Sequence, residues 1–204
     1  LVRSRGLGDV YKRQNSGGTI EASFATGNVG GVDYIGGLTG INQANGTIRN
    51  SYANGEVTGT GSQIGGFSGN NVVNATIINC YSVGRVVGNQ LTGGLVGYFG
   101  SGSISSSYWN TETSRQSNSA GGEGKTTAQM LQQPTFEAWN FTDTWGIDGQ
   151  YPYLQWSDIK PEAPQHVAPS NLSLTAGDGS ITLSWDAPSV GSPTGYNIYR
   201  NGVI

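Results

Sequence analysis

The chain has 204 residues, of which 34 are glycine and only 11% are charged, with a formal net charge of −3. Its apolar runs span only a few residues, too short for a transmembrane helix, and the charge balance gives no electrostatic footprint for nucleic acid. A single Cys and a single His, His166, exclude a disulfide framework and a Cys-based zinc site, so no metal or cofactor is expected. Glycine in this excess, without a collagen period and with low charge, points instead to many short strands joined by Gly- and Asn-rich turns.

The first 14 residues, LVRSRGLGDVYKRQ, differ sharply in composition from the chain beyond Asn15. They resemble a translated adapter scar of assembled sequence. Residues 1–14 are therefore set apart as a disordered artefact, and the chain reads as an internal fragment.

From residue 15 to 108 the sequence repeats. Gly-Gly-Leu-Thr-Gly at 36–40 returns as Gly-Gly-Phe-Ser-Gly at 65–69 and Gly-Gly-Leu-Val-Gly at 93–97, spaced by 29 and 28. Parallel columns run through Ile20, Ile48, Ile77 and Ile104, through Phe24, Tyr52, Tyr81 and Tyr108, and through Val29, Val57 and Val86. Leu38, Phe67 and Leu95 form the column inside the glycine motif. A unit of about 28 residues cannot bury a core alone, but stacked units can, by pairing strand on strand with like side chains aligned. The pattern predicts an all-β chain built as a parallel β-helix, or solenoid, of about 28-residue coils. A β-prism or small propeller competes, although propeller blades usually need ~40 residues or more. Two-residue alternation along Ile48, Asn50 and Tyr52 predicts that the Ile, aromatic, Val and Leu/Phe columns all face inward.

The Gly-Gly-[Leu/Phe]-x-Gly cores and the Asn-[Ser/Cys]-Tyr steps at 50–52 and 79–81 resemble the GLUG-repeat family over residues 15–108. The first and last units depart from it, with Ala22-Ser23-Phe24 and Ser106-Ser107-Tyr108 in that place. The resemblance implies a large bacterial surface or secreted protein, adhesin-like or associated with surface peptidases.

The charges inside the repeat follow its register. Glu21 and Arg49 occupy equivalent positions, as do Glu56 and Arg85, so neighbouring coils should join them as cross-strand ion pairs rather than present a carboxylate pair for glycoside chemistry. Asn50 and Asn79 share a column and could form a short amide ladder. Cys80 stands where Ser23, Ser51 and Ser107 stand, which suits a small structural side chain rather than a nucleophile.

Residues 109–156 lose the repeat. Thr126 or Thr127 should cap a short helix through Ala128–Gln132, stopped by Pro134. The aromatic residues after it suit a C-terminal cap over the open end of the stack. Trp139, Trp145 and Tyr153 are the candidate ligand-facing aromatics if this segment instead forms a carbohydrate platform. Ser-Ala-Gly-Gly, Gly-Lys-Thr-Thr and Tyr-Pro-Tyr-Leu-x-Trp resemble the stretch that commonly succeeds GLUG repeats. Gly124-Lys125-Thr126 imitates the end of a phosphate-binding loop, but Ser119 stands where the first glycine is needed.

Residues 157–168 read as a linker. From 169 to 204, Leu172–Thr175, Ile181–Trp185 and Tyr196–Tyr199 alternate as three sandwich strands and resemble the start of a fibronectin type III domain. Roughly 90–100 residues are needed for such a sandwich, so an incomplete one is expected.

The functional expectation is a non-catalytic repeat segment of a bacterial secreted or cell-surface protein, an adhesin-like or stalk element, without catalytic residues. Its expected partner is a host or polysaccharide surface ligand, with no nucleic acid and no membrane span in this fragment. A carbohydrate-binding or carbohydrate-degrading β-helix, or a spacer beside an enzyme domain, are the competing readings.

Overall fold

The computed structural model describes residues 14–164, 170–177 and 180–186. The chain divides into two units, 1–162 and 163–204. The first is a stack of short parallel strands, in line with the expected solenoid of about 28-residue coils. Coil 1 holds β1 (Gln14–Ser16), β2 (Thr19–Glu21), β3 (Phe24–Ala25), β4 (Val29–Gly31) and β5 (Ile35–Gly36). Coil 2 holds β6 (Thr39–Gln43), β7 (Thr47–Ala53), β8 (Val57–Gly59) and β9 (Ser62–Gly65). Coil 3 holds β10 (Ser68–Asn71), β11 (Ala75–Ser82), β12 (Val86–Val87) and β13 (Gln90–Gly93). A partial fourth coil holds β14 (Val96–Phe99), β15 (Gly102–Ser105) and β16 (Tyr108–Asn110). Gln14, assigned from sequence to the excluded leader, instead pairs with Ile41 in the first sheet.

The register is that of the repeat. Ile20, Ile48, Ile77 and Ile104 are successive partners, as are Phe24, Tyr52, Tyr81 and Tyr108. Val29, Val57 and Val86 likewise pair in sequence. Leu38, Phe67 and Leu95 are linked by backbone bonds from Leu38 N to Phe67 O and from Phe67 N to Leu95 O, both 2.9 Å.

Two apolar clusters fill the interior. One gathers Ile48, Ala53, Phe67, Ile77, Cys80, Leu95, Val96 and Trp109. The other gathers Ile35, Val57, Ile64 and Val86. Glycine sets the thickness between them. A Cβ on Gly36, Gly65 or Gly93 would overlap the carbonyl oxygen of Thr39, Ser68 or Val96 respectively, so backbone rests on backbone at the glycine motif.

The aromatic column does not join these clusters, contrary to the alternation expected from sequence. Asn50 and Asn79 take left-handed backbone, with φ of 50° and 52°, as do Ala22 and Ser106 in the other coils. That turn interrupts the two-residue period. Ser51 and Ala53 follow Ile48 to the inside, and Tyr52 is thrown outward.

The C-terminal segment is placed accordingly. After α1 (Thr111–Ser114), residues 118–120 bond to the top of the stack, with Gly94 N to Asn118 O and Ala120 N to Val96 O. β17 (Glu123–Lys125) then adds in parallel to β16. Trp109, in the column of Ala53 and Ser82, fills the interior at this end, against Gly94. The predicted helix is α2 (Thr127–Met130), with Thr126 as N-cap and Gln129 closing a capping box; a 3-10 turn comes next at Gln133–Thr135. From Phe136 to Trp156, with β18 (Trp145–Gly146) and β19 (Tyr153–Leu154) as an antiparallel pair, the chain runs along the side of the stack. The expected C-terminal cap thus has two parts: Trp109 and residues 118–125 close the end of the stack, while the aromatic stretch 136–156 covers its flank, where the rings of the aromatic column need burial.

In the second unit, β20 (Ser170–Gly177) and β21 (Ser180–Asp186) form an antiparallel hairpin with Leu174 opposite Leu183. The third sandwich strand, at 196–199, lies outside the described residues.

Candidate functional site: the aromatic flank of the stack

The outward turn at each left-handed corner builds a ladder of rings. Phe24 stacks on Tyr52 and Tyr52 on Tyr81, each with centroids 5.1 Å apart and planes within 13°. This is one strand spacing, which the backbone register imposes. The ladder is roofed. Trp156 lies 5.8 Å from Phe24, Trp145 lies 6.3 Å from Tyr52 and 6.0 Å from Tyr81, and Trp139 lies 6.1 Å from both Tyr81 and Tyr108. Phe136 closes edge-on against Tyr108.

The phenol hydroxyls reach through to backbone acceptors. Tyr81 donates to the carbonyl of Pro152, and Tyr52 to that of Ile159 at 3.4 Å. Burial pushes both phenols far above their ordinary range. Tyr151, whose hydroxyl accepts from the amide of Asn110 at 2.6 Å, is raised for the same reason.

This geometry overturns the ligand-facing assignment of two residues. Trp145 is 0% exposed and Trp139 7%, both occupied with the ladder, and Trp139 donates its ring N–H to Ser106 O. Tyr153 is half-buried, with the Lys160 ammonium 4.3 Å above its ring. Lys160 is raised above its ordinary range mainly by its hydrogen bond to Asp148. Trp156, which carries no assignment from sequence, is the tryptophan of this segment that faces solvent, at 53%.

The remaining chemical candidates are structural in their placement. Glu21 meets Arg49 at 2.7 Å and Glu56 meets Arg85 at 3.1 Å, the two pairs expected from register. The expected Asn50–Asn79 contact is present at 3.3 Å. Cys80 is fully buried, donates to Ile78 O, and has its thiol pushed up by burial. It repeats what Ser51 and Ser107 do, each donating to the carbonyl two residues earlier. Gly124 and Lys125 lie in β17, with Lys125 paired to Glu123 and set over Tyr108, not around a phosphate.

A second, buried amide ladder was not expected from the sequence. Asn15 Nδ2 donates to Asn42 Oδ1 and Asn42 Nδ2 to Asn71 Oδ1, both at 2.8 Å, and Asn71 ends the run on Ala75 O. Its trace in the sequence is Asn at 15, 42 and 71, spaced by 27 and 29.

Among known proteins, the model of the GLUG motif matches residues 31–58, one coil-length spanning β4 to β8. A protein of Evansella cellulosilytica named as a putative Gly-rich membrane protein is 36% identical over 146 residues, covering 68% of this chain. The chain spans only 14% of that relative's length. No solved structure matches. The resemblance of residues 169–204 to fibronectin type III finds no support in these comparisons.

Proposed function

We propose that this chain, carrying the GLUG motif at 31–58, is a non-catalytic repeat segment of a bacterial cell-surface or secreted protein, serving as a stalk or adhesive surface in attachment. The observation that carries the reading is the register of the coils. Each repeat column, apolar, amide or hydroxyl, is matched to its own equivalent one coil on, so the residues are committed to holding the stack. The name of the Evansella relative, a Gly-rich membrane protein, supports placement at an envelope. No helix among the described residues is long and apolar enough to cross a membrane, so anchoring would fall to other means or other parts of the protein.

The chemistry supports a mechanical role. Glu21 and Glu56 are held by arginines, and the thiol is buried and protonated. A solenoid gains length by one strand spacing per coil with each coil supported by the last.

Beads coated with the purified chain test the attachment role. They are expected to adhere to polysaccharide or host-cell surfaces above uncoated beads, and the chain is expected to release no reducing ends from polysaccharides. Release of reducing ends would replace this reading with a carbohydrate-degrading one. Failure of the beads to adhere would remove the adhesive role and leave that of a spacer.

A further inference from the structure

Two neighbouring columns of the stack are not held to one kind of residue. One runs through Tyr34, Gln63 and Leu91, the other through Ile41, Asn70 and Tyr98. Their members are in register, since Ile35 pairs with Ile64, Ser62 with Gln90, and Asn70 with both Ile41 and Tyr98. Asn70 Nδ2 donates to Gln63 Oε1 at 2.6 Å, which joins the two columns side by side. Along the axis the rows are therefore Tyr34 with Ile41, Gln63 with Asn70, and Leu91 with Tyr98. Tyr34, Gln63 and Leu91 all take left-handed backbone, with φ of 55°, 64° and 46°, an uncommon conformation for side chains of this size. Tyr34, Leu91 and Tyr98 are exposed at 36%, 51% and 40%, so large apolar groups are turned to solvent where the stack has no use for them.

An unpaired polar atom marks the middle row. Asn70 is 8% exposed, and its Oδ1 is buried with no hydrogen-bond partner among the described residues. Turning the amide over would strand its nitrogen instead. Such an atom is costly, and the stack does not require it, because Ile41 fills the same column one coil earlier. The face is also without charge. The six strands that carry it, β5, β6, β9, β10, β13 and β14, contain no Asp, Glu, Lys or Arg, and the ion pairs Glu21–Arg49 and Glu56–Arg85 lie outside them. An anionic surface finds no cation here, whereas a neutral ligand with hydroxyls finds rings and amides.

We propose that this face, with Tyr34, Gln63, Asn70, Leu91 and Tyr98, binds a neutral polysaccharide laid along the stack. The inference rests on the attachment reading and gives it a ligand class. A sugar ring has an apolar face of C–H groups and an edge of hydroxyls, so it takes a phenol on its face and an amide on its edge. An amide sets an acceptor and a donor side by side, which matches two adjacent hydroxyls that each donate and accept. Gln63 swings off Asn70 to admit them, one hydroxyl donating to Oδ1 and its neighbour accepting from Nδ2. Tyr34 and Tyr98 stand two rungs apart along the axis, about 10 Å at about 4.8 Å per rung, so they stack on separate sugar rings with the amides between them.

The full chain is tested in native gels containing soluble β-glucan, xylan or galactomannan, with polygalacturonate as the charged comparison. Retardation is expected in at least one neutral gel and not in polygalacturonate. Tyr34→Ala combined with Tyr98→Ala should weaken it by about tenfold or more. Trp156→Ala, which removes an exposed indole elsewhere, should leave it unchanged. Amide NMR of the unmodified chain with oligosaccharides of the retarding glycan gives a check that needs no variant. Shifts are expected at residues 34, 63, 70, 91 and 98, and shifts confined to other residues would overturn the site. Retardation that survives the double substitution would also overturn it and leave the attachment reading standing. So would the absence of retardation in every neutral gel, while beads that still adhered to host cells would uphold attachment. Self-association of the parent that is lost in the double variant, without retardation, would assign the face to a second copy instead.

Discussion

Asn42 shows how much one amide does in this stack. It accepts from Asn15, donates to Asn71 and also reaches Thr76 O at 3.2 Å, all out of contact with water. Asn42→Ala strands the Oδ1 of Asn71 and removes a partner of Asn15, which should cost about 2–3 kcal/mol in urea unfolding. Cys80 gives the opposite expectation. Its sulfur donates to Ile78 O and lies against the Ser51 backbone, as the hydroxyls of its column do. Cys80→Ser should stay within about 1 kcal/mol of the parent, whereas Cys80→Val, which keeps the volume but loses the polar atom, should cost about 1–3 kcal/mol. A thiol-specific reagent should react with Cys80 only on unfolding. The role of Cys80 is legible in the sequence because Ser23, Ser51 and Ser107 share its column. The Asn15–Asn42–Asn71 ladder is equally regular but hidden, since Asn is also the commonplace turn residue of this sequence and spacing alone does not separate a ladder from a bend.

At the scale of elements, the decisive feature is the left-handed corner inside β7 and β11. Sequence periodicity gives the partners of each column, because pairing depends only on the repeat length. It does not give the face, because one residue at φ near 50° moves every later side chain to the other side. Periodicity therefore aligns the tyrosines correctly with one another and assigns them to the wrong face. The same error extends the end cap through residues 136–156, since an inner ladder would leave the flank nothing to cover, whereas only Trp109 and residues 118–125 close the end. With Trp145 fully buried between Tyr52, Tyr81 and Trp139, Trp145→Ala should destabilise the protein by about 3–5 kcal/mol and expose dye-binding apolar surface. Arg49→Ala, which breaks only a half-exposed ion pair, should cost about 0.2–1 kcal/mol by the same unfolding measurement, and less in high salt.

For the whole molecule, the buried phenols and thiol fix the direction of pH sensitivity. Tyr52, Tyr81, Tyr108, Tyr151 and Cys80 are all raised in the folded state, chiefly by burial. The unfolded chain therefore releases protons first, from ordinary values of 9.0 for the thiol and 10.0 for the phenols. Stability should be fully present below pH 9 and fall as pH rises through and beyond 10, read as a decreasing urea midpoint. Tyr81→Phe should blunt that fall. The overall solenoid is readable because its period recurs in several columns at once, whereas residues 163–204 carry no repeat to fix the partners of their strands. The roofed tyrosine ladder also has an optical consequence. With indoles of Trp139 and Trp145 within 6.3 Å of Tyr52 and Tyr81, light absorbed by these phenols passes to tryptophan, and the native protein should glow almost wholly as indole. Peeling the side segment away would restore tyrosine emission, so the molecule reports the detachment of its own cover without any added label.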